Sequence, residues 1–204
     1  MDDKGEEKMG KAANSSISLK QIHVTDNFWN KYVHLVKDVI IPYQWDILND
    51  KLEDVETSHC IENFKIAAGE KEGEFQGAVF QDTDVAKWLG AVGFVLNYDR
   101  DEKLEELADE TIELIGRAQQ PDGYLNTYFT IKEPDGRWSN LMEGHELYTA
   151  GHMIEAAVAY YEATGKRRFL EIVSKFADLV CQTFGSEEGK IHGYPGHQEI
   201  ELAL

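Results

Sequence analysis

Cysteine is scarce in this sequence, with two residues, Cys60 and Cys181, in 204. Both fall in segments that read as helix, which suits buried thiols in a reducing compartment and excludes a disulfide framework as the source of stability. Positive charge is also thin: 20 Lys and Arg stand against 38 Asp and Glu, for a formal net charge of −18. That balance excludes a nucleic-acid backbone or an anionic membrane as the natural partner, because both demand clustered cations, and it leaves neutral ligands such as sugars open. No run of about 18 apolar residues is available to cross a bilayer. The opening MDDKGEEKMGKAANSSISLKQ lacks the apolar stretch of a signal peptide, so a soluble, cytoplasmic protein is expected. Asn14-Ser15-Ser16 matches a glycosylation acceptor, which would matter only after secretion. GxSxG, Walker-loop, GxGxxG and CxxC motifs are all missing, which removes the hydrolase-elbow, nucleotide and zinc-ribbon readings.

What is present is helical periodicity. Residues 1–16 are charged and small, without a period, and are expected to form a disordered tail ahead of one structured unit over 17–204. A helix is predicted from Phe28 to Asn49, capped by Asp26, with Pro42 kinking or breaking it. A shorter helix follows around His59 to Ala68. A third, with Asp82 as its N-cap, carries Val85, Leu89, Val92 and Leu96 on one face; a fourth carries Leu104, Leu107, Ile112 and Ile115. The segment PDGYLNTYFTIKEPDGRWSNL reads as a long loop. A fifth helix is predicted from Gly144 to Thr164, ended by Gly165, a sixth from Lys166 to Phe184, and a seventh starting at His197. The third and fourth helices repeat as the fifth and sixth: Trp88-Leu89 answers Met153-Ile154, and Leu107-Ala108 answers Ile172-Val173. Each unit ends in a Gly-Tyr loop, PDGYLN and then HGYPGH, at a period of about 50 to 60 residues, the mark of helix pairs stacked side by side. GYPGHQEIELAL opens a further pair that the sequence leaves unfinished, so the chain is expected to be truncated.

Chemistry-bearing residues gather at loop ends and helix starts. In HELYTAGH, His145 and His152 lie seven apart on one helix face, flanked by Glu146 and Glu155. A zinc peptidase requires HExxH, and Thr149 stands where the second histidine belongs. His152 and Glu155 have the spacing of di-iron ligands, but a second copy is missing, so no metal is expected here. Tyr124, Asn126, Tyr128, Trp138, His145, Tyr194 and His197 would meet at one mouth of a helical toroid, offering the aromatic faces and polar groups that a sugar requires; packing caps are the alternative for the aromatics. A glycosidase needs two carboxylates, and Asp82, Asp84, Glu143, Glu146, Glu155 and Glu199 are available without any pair standing out.

The words IPYQWDILND, DTDVAKWLGAVGFVL, QQPDGYLNTYF, HELYTAGHMIEAAVAYYEATGKRRFLEIVSKFAD and GYPGHQEIELAL, in this order, resemble the N-terminal part of the β-L-arabinofuranosidase family of glycoside hydrolases, over roughly Ile17 to Leu204. The resemblance implies an all-α fold, a partial (α/α)6 toroid of repeated antiparallel helix pairs, here its N-terminal half. It implies release of β-L-arabinofuranose from plant glycans with retention of configuration, and an arabinose-containing oligosaccharide or glycan as partner. His145, His197 and Gln44 are implied as contacts to arabinose hydroxyls, and the Gly-Tyr loops are expected to bring Tyr124 and Tyr194 to line the same subsite. Full-length relatives are expected to hold zinc on one glutamate and three cysteines, one of them the nucleophile; Cys60 and Cys181 do not occupy those positions. The chain is therefore expected to carry no catalytic residue or metal of its own, to be inactive alone, and to self-associate or pair with a completing C-terminal half. Two alternatives stay open: a non-catalytic sugar-binding or scaffold module, and a toroid sugar epimerase or unsaturated uronyl hydrolase, for which Arg137, Arg167 and Arg168 are the candidate uronate contacts.

Overall fold

A computed structural model of the protein describes residues 17–204, and the tail expected at 1–16 lies outside the described residues. Nine α-helices occur among those residues: α1 (Asn27–Leu35), α2 (Ile41–Leu48), α3 (Cys60–Ala67), α4 (Asp82–Tyr98), α5 (Glu102–Ala118), α6 (Thr127–Ile131), α7 (Glu146–Thr164), α8 (Arg168–Thr183) and α9 (Glu199–Ala203). No strand forms among the described residues; Phe184 and Ile191 make an isolated bridge.

Asp26 caps α1 as predicted, its Oδ1 accepting from the Phe28 and Trp29 amides at 2.8 and 2.9 Å. Pro42 does not break the helix that follows. A π-helical segment, Val36–Ile40, joins α1 to α2, and the Ile41 amide bonds Val36 O, five residues back. The wider turn gives the proline ring room at the start of α2, where its missing N–H costs little.

Two other expectations require correction. Asp82 is not the N-cap of α4; Gln81 holds that position. The Asp82 carboxylate is buried and accepts from the Thr127 amide at 2.7 Å and from the Thr127 hydroxyl, which ties the loop after α5 to the start of α4. That loop is not structureless either: it contains α6, capped by Asn126 through the Phe129 amide at 3.1 Å, and a 3-10 turn at Pro134–Gly136. Five residues are too few to show a helical period in the sequence.

The repeat seen in the sequence is the architecture. α4 and α7 are inner helices, buried on several sides through Val85, Trp88, Leu89 and Val92 in one and Ala150, Met153, Ala157 and Tyr160 in the other. α5 and α8 are outer helices that bury one face each, Ala108, Ile112 and Ile115 against Phe169, Ile172 and Phe176. Gly165, at φ +76°, ends α7 as predicted, and short turns return each inner helix to its outer partner. The unit is longer than the expected period, since α4 begins at Asp82 and α7 at Glu146. α4 and α7 run parallel: Lys87 meets Tyr148, Gly90 faces Ala156, and Gly93 faces Ala159. This is the helix-pair arrangement of a partial (α/α)6 toroid.

Gly93 sets how closely the inner helices approach. A Cβ there would stand 2.8 Å from the Ala159 carbonyl carbon and 2.9 Å from the Tyr160 nitrogen, both backbone atoms that cannot swing aside. Gly93→Ala is therefore expected to destabilise by about 1–3 kcal/mol, outweighing alanine's better helix propensity; urea unfolding measures it.

Candidate functional site

The starts of α4, α7 and α9 share one end of the molecule. His145 occupies the N-cap of α7 in the left-handed region, φ 52° and ψ 21°, a conformation that costs a non-glycine residue of order 1 kcal/mol or more. The next residue forces it. Glu146 turns inward, 2% exposed, to accept from the Tyr124 hydroxyl and, at 2.7 Å, from the Trp138 amide, so the chain must reverse at His145. His145 Nδ1 lies 2.7 Å from Glu143 O. A carbonyl can only accept, so Nδ1 carries a proton and Nε2 is the nitrogen free to meet a ligand.

Around this imidazole stands an aromatic cluster. His197, from the loop ahead of α9, has its ring centre 5.6 Å from that of His145. Tyr148 packs 4.8 Å from His197, 5.6 Å from His145 and 4.5 Å from His152, and Phe80 lies 5.1 Å from His145. Lys87 on α4 donates to the Tyr148 hydroxyl at 3.1 Å and to Thr83 Oγ1 at 3.3 Å. Lys87 also belongs to two adjoining clefts. One, of about 650 Å³, is walled by Gly90, Phe94, His152, Glu155 and Leu202; the other, of about 830 Å³, by Gln44, Ser58, Gln81, Asp84 and Trp88.

The structure thus brings His145 and His197 together and places Gln44 in the neighbouring cleft. Tyr124 falls elsewhere. Tyr124 is fully buried: its hydroxyl is spent on Glu146, its ring packs against Trp138 and Phe176, and the Arg137 guanidinium lies 3.9 Å over its face, so it lines no open subsite. Tyr194 stands 89% exposed. Of the other aromatic and polar candidates, Asn126 is a buried helix cap and Trp138 packs on Phe184 and Tyr124. Sequence reasoning missed Tyr148, Lys87 and Phe80. Tyr148 was detectable, one helical turn after His145 on the same face; Lys87 and Phe80 belong to another helix pair and carry no local signal.

On the cleft side of α7, His152 Nδ1 lies 3.0 Å from Glu199 Oε1, and His152, Glu155 and Glu199 offer ligand atoms within 4.8 Å of one another. A hydrogen bond to Glu199, with burial adding, raises the Glu155 pKa above the ordinary carboxylate value. Burial, and then the Lys87 cation, lower that of His152 and favour its neutral form. Zinc of the expected kind finds no fit among these residues. Cys60 is buried and its thiol donates to Gln81 O at 3.3 Å, while Cys181 is exposed on α8. The candidate arginines are also engaged elsewhere: Arg137 with Asp122 at 2.9 Å, Arg168 with Glu113 at 2.8 Å, and Arg167 over the Tyr161 ring.

Comparison with known proteins agrees with this fold. A family model described as the β-L-arabinofuranosidase GH127 catalytic domain matches residues 21–204. A non-reducing end β-L-arabinofuranosidase from Bifidobacterium longum subsp. longum is 44% identical over 199 residues, covering 90% of this chain and 30% of that protein. The crystal structure of a GH127 β-L-arabinofuranosidase from Geobacillus stearothermophilus T6 superposes with a TM-score of 0.88 at 64% identity, over 89% of this chain and 28% of that one. A second solved GH127 β-arabinofuranosidase gives a TM-score of 0.83 at 36% identity, over 92% of this chain and 30% of the other. The chain thus spans under a third of the length of each of these relatives. With the match running through nearly all of the described helices, the chain belongs to the GH127 β-L-arabinofuranosidase catalytic-domain family.

Proposed function

We propose that this chain supplies part of the arabinose-binding subsite of a retaining β-L-arabinofuranosidase acting on arabinose-containing glycans. The observation that carries the reading is the pairing of His145 and His197, whose ring centres lie 5.6 Å apart although they come from separate loops. His145, held through Nδ1 by Glu143 O, presents Nε2 to a sugar hydroxyl. His197 adds a second imidazole, and Gln44 offers an amide from the adjoining cleft, which gives sugar hydroxyls several hydrogen-bonding partners. The three candidate arginines are engaged elsewhere and supply no guanidinium for a uronate at the histidines, which disfavours the uronyl-hydrolase reading. We assign no nucleophile or zinc ligand within residues 17–204. Exposed Phe94, Val158 and Leu202 along α4, α7 and α9 suit packing by further helices of a ring or by a second copy of the chain.

The test is calorimetric titration of the 204-residue chain with methyl β-L-arabinofuranoside. Binding without turnover is expected, and His145→Ala and His197→Ala should each weaken it by about tenfold or more. Equal affinity in both variants and wild type would remove the assignment.

A further inference from the structure

We propose that Tyr148, tethered by Lys87, is the positioning residue that fixes the two imidazoles of the site; this rests on the reading of His145 and His197 as sugar contacts. Among the described residues, Tyr148 is the one side chain whose ring meets His145, His152 and His197 together. It reaches His145 and His152 from within α7, and His197 across the gap to the loop ahead of α9. Its own freedom is removed at the hydroxyl, where Lys87 Nζ donates at 3.1 Å, and Lys87 in turn is held by Thr83 Oγ1 at 3.3 Å on the same helix. The line of contact therefore runs from α4 through Tyr148 to rings carried on two other segments.

His197 needs such support more than His145 does. His145 is anchored by Glu143 O and by its N-cap position, whereas His197 sits exposed in a loop between Gly196 and a five-residue helix. Ring packing against Tyr148 and His145 is the contact that orients it. An edge or face of tyrosine restricts an imidazole to few rotations, and a restrained imidazole loses less entropy when it meets a hydroxyl. Phenylalanine would keep the ring but lose the tether, because Lys87 donates to the hydroxyl oxygen. Burial and then the Lys87 cation lower the pKa of His152, the third imidazole against the Tyr148 ring.

The experiment is imidazole NMR on the full 204-residue chain, without ligand, for wild type, Tyr148→Phe, Lys87→Met and the double variant. Titration of each with methyl β-L-arabinofuranoside follows. Both single variants should shift the His197 and His145 ring signals and weaken binding by about tenfold, the range of one hydrogen bond to a charged donor. The double variant should be no weaker than either single one, because both remove the same bond. Unchanged ring signals in Tyr148→Phe, or losses that add in the double variant, would overturn the proposal. If Lys87→Met melts without cooperativity, the near-isosteric Tyr148→Phe decides alone. Failure of the wild type to bind the furanoside counts against the proposed function, while the ring signals still decide whether Tyr148 positions the histidines.

Discussion

Glu146→Ala is expected to cost about 3–5 kcal/mol of stability and to abolish sugar binding, whereas Glu146→Gln should cost about 1 kcal/mol and leave binding largely intact. The alanine variant removes the acceptor of two donors at once, the buried Tyr124 hydroxyl and the half-buried Trp138 amide. It also deletes the charge that faces Arg137, whose Nε is already buried without a partner. Each stranded donor costs about 1–3 kcal/mol, because the water it gave up on folding is not replaced. Glutamine keeps an oxygen for the Trp138 amide, and its NH2 can donate to the Tyr124 oxygen, since a phenol also accepts.

The effect on binding follows from the backbone. Trp138 and His145 are both left-handed, at φ 60° and 52°, and Glu146 is the group that draws the ends of this loop together. Without it, nothing offsets the cost of the left-handed turn, and His145 loses the pose in which Nδ1 faces Glu143 O. Chemical denaturation measures the first effect and calorimetry the second. An alanine variant as stable as the glutamine variant would show that Glu146 is not the anchor.

The same residue shows how far the sequence could be read. Helix order and the repeat were legible because α4, α5, α7 and α8 each span at least 16 residues, long enough for their apolar faces to repeat several times. The meeting of His145 and His197 was legible because each follows a Gly-containing loop at the start of an inner helix, and the toroid puts such starts at one end. Tyr124 was misplaced because its loop position says nothing of Glu146, 22 residues away, which takes its hydroxyl inside. Asp82 fits the N-cap pattern locally, yet its partner Thr127 lies 45 residues on. Both errors concern buried polar groups, whose partners are chosen by tertiary packing and leave no mark at short range.

Asp82 provides the other large effect, a stability that depends on pH. Its carboxyl is pushed up from the ordinary 3.8 to about 6, first by burial, with the nearby Asp84 charge adding, against the lowering effect of the two Thr127 hydrogen bonds. Between those two values the folded chain holds the proton while the unfolded chain has released it, so stability falls as pH rises through the window. The contribution is complete below about pH 4 and gone above about pH 7, an amplitude of about 3 kcal/mol at 1.36 kcal/mol per pH unit. Glu146 and Glu155 are also shifted upward and tilt the wild-type curve the same way, so the difference from a variant isolates Asp82. Asp82→Asn mimics the protonated acid: its oxygen accepts from the Thr127 amide, and its NH2 can donate to the Thr127 hydroxyl. The variant should match wild type near pH 4 and exceed it by up to about 3 kcal/mol at pH 7. Urea unfolding at pH 4, 5, 6 and 7 gives the comparison. Curves that stay parallel across that range would mean that Asp82 keeps its ordinary pKa in the fold, and that the Thr127 hydrogen bonds offset burial in full.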